Sequence, residues 1–91
     1  MSLRSKTALI TGAGQGIGRA TAQRLARAGA NLVIQDIDEA ALADTADQLS
    51  AFEVDVLPLT GDLTKTGLPE QVVQDGLQAF GGLDIIINNE S

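Results

Sequence analysis

The chain has 91 residues, a net charge of −6 and no Cys, His, Tyr or Trp. These absences exclude disulfides and cysteine metal clusters, an imidazole base, and a phenolic proton donor. Five of the six basic residues precede residue 28, and all twelve acidic residues lie from Asp36 onward. The acidic majority argues against a nucleic-acid partner, which requires clustered Lys and Arg.

The hydropathy pattern indicates one small domain away from membranes. No apolar run approaches the roughly 20 residues of a membrane span, and the apolar stretch after the basic start is too short for a signal peptide. We therefore expect a cytoplasmic protein without a membrane partner.

The first half of the chain predicts a strand, a helix and a second strand. The apolar runs at 7–11 and 31–36 have the composition of buried strands, and 17–28 between them has helical spacing. The inner face of this helix is predicted to consist of Ile17, Ala20, Thr21, Leu25 and Ala28, and the opposite side of Arg19, Gln23 and Arg27.

The second half predicts two further helix–strand units. Asp38 is suited to cap a second helix, and Pro69 fits the first turn of a third. Strands are predicted over 53–60 and 83–87. Pro58 places the third strand at a sheet edge, because proline donates no ladder hydrogen bond. The inner stripes of the two helices are predicted to be Leu42, Thr45, Ala46 and Leu49, and then Val72, Val73, Leu77 and Phe80.

Alternating strands and helices with apolar strands predict an α/β protein with a parallel sheet covered by helices. Right-handed crossovers and an edge third strand give the order 3-2-1-4, the N-terminal half of a doubly wound, Rossmann-type fold. The run of isoleucines at 85–87 suits a strand with neighbours on both sides. We therefore expect strand 84–88 to be covered, either by a second chain in self-association or by more of the same protein.

The turn after the first strand carries closely spaced glycines, in the order Thr11-Gly12-Ala13-Gly14-Gln15-Gly16-Ile17-Gly18. Glycines let the backbone bend sharply and approach a pyrophosphate, which the helix N-terminus then binds through its free amides. The spacing is G-x-x-x-G-x-G, and the alternative interpretation is a tight turn without a ligand.

Asp36 ends the second strand, where an acid that binds the ribose hydroxyls of a dinucleotide is expected. Its carboxylate would repel a 2′-phosphate, and neither Gln15 nor Ile37 supplies a cation. NAD is therefore favoured over NADP. The alternative is a solvated acid that precedes a helix.

On these residues, together with Gly61-Asp62-Leu63-Thr64 and the run Leu83-Asp-Ile-Ile-Ile-Asn-Asn89, the sequence resembles the short-chain dehydrogenase/reductase family over essentially its whole length. The resemblance implies that the glycine loop binds the pyrophosphate, that Asp62 meets the adenine amino group and that Leu63 lines the adenine pocket. Without the resemblance, Asp62 is equally well interpreted as the start of an Asx turn. Asn88 and Asn89 are then equally well interpreted as the polar end of a strand. The candidate cofactor-binding residues are Gly12, Gln15, Gly16, Ile17, Gly18, Asp36, Asp62, Leu63, Asn88 and Asn89.

After the two asparagines the family continues with Ala-Gly, whereas this sequence has Glu90 and Ser91. A carboxylate at Glu90 would repel the pyrophosphate unless it points away. The family's catalytic Ser and its Tyr-x-x-x-Lys pair lie downstream, so no catalytic residue is assigned. Residues 1–91 are accordingly predicted to be the NAD-binding half of an alcohol–carbonyl oxidoreductase, binding the adenosine–pyrophosphate part without turnover.

Three alternatives stay open. The motif Gly12-x-Gly14-x-Gly16 also matches the glycine loop of S-adenosylmethionine methyltransferases, although those loops usually carry an acid just before the first glycine. A non-catalytic module could work by pairing through its fourth strand. The remaining alternative is an unstable remnant without a function of its own.

Overall fold

A computed structural model describes residues 2–89 and contains four strands and three helices in strict alternation. In chain order the elements are β1 (Thr7–Ile10), α1 (Gly16–Arg27), β2 (Asn31–Asp36), α2 (Glu39–Leu49), β3 (Val56–Thr60), α3 (Leu68–Phe80) and β4 (Ile85–Ile87). The predicted second strand has the observed bounds. The third strand begins at Val56 instead of residue 53, because residues 52–54 form a bend and the Asp55 amide donates to the side chain of Asn31.

All four strands are parallel, and their order is β3-β2-β1-β4, as the sequence predicts. Leu9 in the centre of β1 lies opposite Val33 on one side and Ile86 on the other. The edge position of β3 explains how the sheet accommodates Pro58, which is exposed and lies opposite Ile34. The fold is therefore the Rossmann-type α/β arrangement in its order 3-2-1-4.

Helices cover both faces of this sheet. One apolar cluster joins Ile10 and Ile34 to buried residues of α1 and α2, and a second joins Leu9 and Val33 to Val72 of α3. Successive residues of a strand point to opposite faces, so each central strand contributes to both clusters. This double coverage buries β1 over its whole length and β2 from Leu32 to Gln35.

The inner face of α1 differs from the prediction. Its buried residues are Gly18, Ala22 and Ala26, whereas Ile17 is 75% exposed. Small residues spaced four apart let the helix backbone approach the sheet closely, and the larger Ile17 is left on the outer side. The predicted solvent side of α1 is also wrong in part, because Arg19 and Gln23 donate hydrogen bonds to Thr45 and Gln48 of α2.

The other two helices agree more closely with the sequence pattern. Asp38 caps α2 by accepting a 3.0 Å hydrogen bond from the Ala41 amide, and Pro69 lies in the first turn of α3. The predicted stripe of α2 is buried, apart from a half-buried Ala46. On α3 the buried positions are Val72 and Gly76, and Val73 and Phe80 are half-buried. The prediction that Leu77 belongs to the inner stripe is wrong, because Leu77 is 39% exposed. Among residues 2–89, no helix has the length and apolar character to cross a bilayer.

Candidate functional site

The candidate residues gather at one edge of the sheet, because parallel strands bring all their carboxyl ends together. The loops that follow the four strands surround a cavity of about 370 Å³ there. Its lining consists of Gly12, Gln35, Asp36, Ile37, Gly61, Asp62, Leu63, Thr64 and Asn89. Five of the predicted residues are in this lining. The other five, Gln15 to Gly18 and Asn88, lie outside it, at the start of α1 and directly after β4.

Asp36 is held in place by the backbone on two sides. Its Oδ2 accepts a 2.7 Å hydrogen bond from the Gly14 amide, and its Oδ1 accepts a 3.0 Å bond from the Asp38 amide. The carboxylate is therefore held by backbone amides, and its contact with ribose hydroxyls remains a prediction. Each carboxylate oxygen has further acceptor capacity, so a carboxylate held in this way can still receive hydroxyl groups from the cavity.

The glycine loop is shaped by close backbone approaches. Gly12 has a φ of +64°, which side chains rarely adopt, and a Cβ there would overlap the carbonyl oxygen of Asn89. At Gly14 a Cβ would lie 2.7 Å from Oδ2 of Asp36. Glycine at these two positions lets the loop contact the end of β4 on one side and Asp36 on the other.

The start of α1 has the properties of an anion site. Its N-cap is Gln15, whose side chain makes no capping hydrogen bond, and the first turn contains no acidic residue. Gly16 also has a positive φ, +62°, and a Cβ there would meet nothing within 4 Å. The positive end of the helix dipole at this turn therefore has no competing carboxylate from the turn itself.

Thr11 links the glycine loop to the end of β4. Its hydroxyl donates a 2.9 Å hydrogen bond to Oδ1 of Asn88 and accepts one of 2.9 Å from the Asn89 amide. The Asn89 side chain donates in turn to the Gly12 carbonyl at 3.3 Å. Through these hydrogen bonds the two asparagines support the glycine loop from the β4 side. Glu90, the departure from the family pattern, lies outside the described residues.

Asp62 begins the turn that follows Gly61. Its Oδ1 accepts hydrogen bonds from both the amide and the hydroxyl of Thr64, at 2.9 and 2.7 Å. These bonds, the hydroxyl bond most of all, hold the pKa of the Asp62 carboxyl below its ordinary value. The Asx turn considered for this residue is therefore present, and a contact between Asp62 and an adenine amino group remains a prediction.

Sequence reasoning missed a polar network behind the glycine loop. Thr45, which is fully buried in α2, donates a 2.8 Å hydrogen bond to the Ala13 carbonyl and accepts one of 2.8 Å from Nε of Arg19. Arg19 also donates to the carbonyls of Gly14 and Ala41. The available signal was a threonine in the middle of an apolar stripe, which requires a polar partner when buried.

A second missed residue is Gln35, directly before Asp36. It is 4% exposed, and its side chain lies between the glycine loop and the turn after β3.

A larger depression of about 860 Å³, lined among others by Arg4, Arg27 and Glu53, lies at the opposite end of the strands. It contains none of the predicted site residues, so it has no part in this site.

The comparisons with known proteins agree with this architecture. The family model for short chain dehydrogenase matches residues 6–91. An (S)-acetoin-forming diacetyl reductase of Staphylococcus epidermidis is 41% identical over 85 residues, which cover 93% of this chain and 33% of that relative.

Two solved structures extend the comparison to the fold. A short-chain dehydrogenase/reductase from Burkholderia phymatum in complex with NAD matches with a TM-score of 0.88 and 37% identity, covering 94% of this chain and 31% of that one. Carveol dehydrogenase from Mycobacterium avium in complex with NAD matches with a TM-score of 0.92 and 30% identity, covering 98% and 36%.

The parallel sheet, its glycine loop and its crossovers define a Rossmann-type protein. Within that class the chain belongs to the short-chain dehydrogenase family. It spans about a third of the length of the relatives that it matches. The family match favours the dehydrogenase interpretation over the methyltransferase alternative.

Proposed function

We propose that this chain forms the part of an NAD-dependent alcohol–carbonyl oxidoreductase that binds the adenosine and pyrophosphate of the cofactor. On its own it would bind this part of NAD without turnover. The observation that carries the proposal is Asp36, whose carboxylate is fixed by two amides at the rim of the 370 Å³ cavity. NAD complexes among the family's solved structures support the same cofactor class.

The residues fit the chemistry of an adenine dinucleotide. Asp36 would accept the ribose hydroxyls, since its two oxygens retain acceptor capacity. Residues 15–18 would bind the pyrophosphate through the amides of the first turn of α1. Ile37 and Leu63 offer apolar surface in the cavity for the adenine ring, and Asp62 lies beside them. The nicotinamide of NAD, when bound, supplies the hydride-accepting carbon.

The charge at Asp36 supports NAD over NADP. A 2′-phosphate would meet the carboxylate at close range, and the cavity lining contains no Lys or Arg. Arg19 lies near Gly14, but its guanidinium donates to Thr45 and to backbone carbonyls. A cation bound in this way is not presented to the cavity.

The types of residue present support binding without turnover. The sequence contains no Tyr and no His, and the polar side chains around the cavity are amides, carboxylates and hydroxyls that hold the loops. We place proton transfer to a small-molecule substrate in the remaining part of a full-length parent. We also propose that the protein is located in the cytoplasm.

Isothermal calorimetry of the 91-residue chain with NAD, NADP, ADP and S-adenosylmethionine tests the proposal. We expect NAD and ADP to bind, NADP to bind at least about tenfold more weakly, and S-adenosylmethionine not to bind. An assay for NADH formation with simple secondary alcohols should stay at background. Equal affinity for NAD and S-adenosylmethionine, or measurable turnover, would contradict it.

A second proposal concerns β4, which pairs with β1 on one side; among residues 2–89 no strand pairs with its other side. Ile86 on this strand is 61% exposed. An apolar strand with unpaired backbone groups favours pairing with another strand. We propose that residues 84–88 pair with the same segment of a second copy when nothing else covers them.

A further inference from the structure

Gln35 is a polar side chain in an otherwise apolar part of β2. The three residues before it, Leu32, Val33 and Ile34, are fully buried, and Gln35 itself is 4% exposed. Val33, two residues earlier on the same face, packs in the apolar cluster with Leu9 and Val72. An apolar side chain of similar length would extend that cluster, so packing alone does not account for an amide at this position.

Both ends of the Gln35 amide are used. Its Nε2 donates a 2.6 Å hydrogen bond to the Gly61 carbonyl, and its Oε1 accepts a 3.3 Å bond from the Gly12 amide. The orientation is fixed by chemistry, because a carbonyl oxygen only accepts and an amide N–H only donates. A flipped amide would place donor against donor and acceptor against acceptor.

These two bonds join loops that the proposed function assigns to different parts of the cofactor. Gly12 belongs to the glycine loop, and Gly61 precedes the Asp62–Leu63 segment of the adenine side. The main chain ties each loop to β2 separately, through the Ala13 amide on the Gln35 carbonyl and the Gly61 amide on the Asp36 carbonyl. Gln35 is a single side chain that touches both loops and also lines the cavity between them.

We propose that Gln35 couples the pyrophosphate side of the site to its adenine side. Occupation of the adenine side orders the turn at Gly61, and the Gln35 amide transmits that order to Gly12, so the second fragment binds at a smaller ordering cost. This inference rests on the proposed function. Gln35 acts as a positioning residue, since it holds the two loops and the ligand groups are bound by others.

The test measures cooperativity between adenosine and inorganic pyrophosphate on the full chain. Each is titrated alone and in the presence of the other by amide NMR, which gives one coupling factor that is the same in both directions. For the wild-type chain we expect a positive factor of about fivefold, the size of one hydrogen bond's contribution. In Gln35→Met, which keeps the length but has no amide, the factor should fall to about one.

Three comparisons separate coupling from a general loss of structure. Val72→Ala removes packing on the same sheet face without removing a hydrogen bond to either loop, and it should lower thermal stability while leaving the coupling factor unchanged. Adding adenosine alone should shift the Gly12 amide resonance in the wild type and not in Gln35→Met. Gln35→Glu, which keeps the acceptor for Gly12 but loses the donor to Gly61, should lose the coupling as well.

The possible failures are distinguishable. If adenosine, pyrophosphate and NAD all fail to bind the wild type, the proposed function fails, and this inference fails with it. If the fragments bind but the wild-type factor is one, or if Gln35→Met keeps the wild-type factor, the coupling is overturned and the proposed function stands. Because the wild-type factor alone can overturn the inference, the result does not depend on whether a variant folds.

Discussion

The backbone amide of Gly14 lies 2.7 Å from Oδ2 of Asp36 and donates a hydrogen bond to it. The phosphate-side loop and the carboxylate proposed to bind ribose are therefore one unit, although α1 and most of β2 separate them in the chain. A change in the path of the loop at Gly14 therefore changes the direction in which the Asp36 carboxylate points.

Gly14→Ala should damage the site by displacing Asp36. The new Cβ would lie 2.7 Å from Oδ2 and 3.0 Å from Cβ of Ala41, both inside normal contact distance. We expect a loss of about 1–3 kcal/mol in unfolding free energy from overpacking, and an NAD affinity at least about tenfold lower. Gly82→Ala is the matched control, because a Cβ there meets nothing within 4 Å. Calorimetry and urea unfolding measure both effects, and equal affinities for the two variants would contradict the prediction.

Asp36→Asn removes the charge and keeps one of the two acceptor oxygens. The amino group that replaces the other oxygen faces a backbone amide donor, so the affinity for both cofactors should fall. The neutral amide still fits the space of the carboxylate but no longer repels a 2′-phosphate, so the preference for NAD over NADP should fall by about tenfold or more. Asp44→Asn removes the same charge from an exposed position of α2 and should leave the preference unchanged. The ratio of the two dissociation constants is the measurement. A ratio that is unchanged in Asp36→Asn would show that the charge does not select the cofactor.

Thr64→Val should raise the pKa of Asp62. The Thr64 hydroxyl is the main cause that holds this pKa below its ordinary value of 3.8. Because the folded-state pKa is depressed, the contribution of these hydrogen bonds to stability is present above pH 3.8 and is lost as the pH falls through the lowered folded value. A carbon-detected NMR titration of the Asp62 carboxyl measures the midpoint.

In Thr64→Val the amide of residue 64 can still donate, so we expect only part of the shift to disappear. Thr66→Val, which changes an exposed threonine two residues later, should leave the midpoint where it is in the wild type. A wild-type midpoint at or above 3.8 would be inconsistent with the hydrogen-bonded turn.

Thr45→Val should destabilise the glycine loop by removing a hydrogen bond from α2. The substitution preserves volume but leaves the Ala13 carbonyl and Nε of Arg19 without their hydroxyl partner. Unsatisfied buried polar groups cost about 1–3 kcal/mol each, so we expect a loss of that order in unfolding free energy. Thr60→Val, on the exposed side of edge strand β3, is the control and should change stability by less than about 0.5 kcal/mol. Urea unfolding with a common m-value decides between them.

Ile86→Lys should abolish the proposed self-association. A lysine on an edge strand opposes strand pairing because its charge would be buried in the pair. Sedimentation velocity at micromolar concentration should show dimers for the wild type and monomers for Ile86→Lys. Ile37→Lys, an equally drastic change at a 65% exposed residue that follows β2, a strand that does not pair with β4, should remain dimeric. A wild type that is monomeric under these conditions would refute the pairing.

Much of the fold could be predicted because the apolar patterns of strands, and the residues that mark where elements begin and end, are local features of the sequence. The run 31–36 has three consecutive apolar residues and a charged residue at its end, and the strand has those bounds. Pro58 alone placed β3 at the edge. The inner face of α1 could not be read in the same way, because Gly, Ala and Thr differ too little in hydrophobicity to mark a stripe, and Ile17 dominated the pattern while pointing outward.

For the candidate site, the sequence motifs indicate residues that the structure brings together, but they do not indicate hydrogen-bond partners that come from distant elements. Asp36 and the glycines follow from spacing, and the structure brings them together. Arg19 and Gln35 look like ordinary surface residues in the sequence, since their hydrogen-bond partners lie in loops and helices that only the folded chain assembles. Buried polar side chains of this kind require knowledge of the tertiary fold.

The hydroxyl of Thr11 joins residues that follow it by 77 and 78 positions. Contacts between such distant parts of a chain form slowly, because a long loop must close before they stabilise anything. The glycine loop therefore reaches its final shape only after β4 has joined the sheet. On the ribosome, a nascent chain that has exposed β1 and the four glycines of the loop still lacks the support of its pocket until residues 88 and 89 emerge, so the pocket matures only after these two residues have been synthesised.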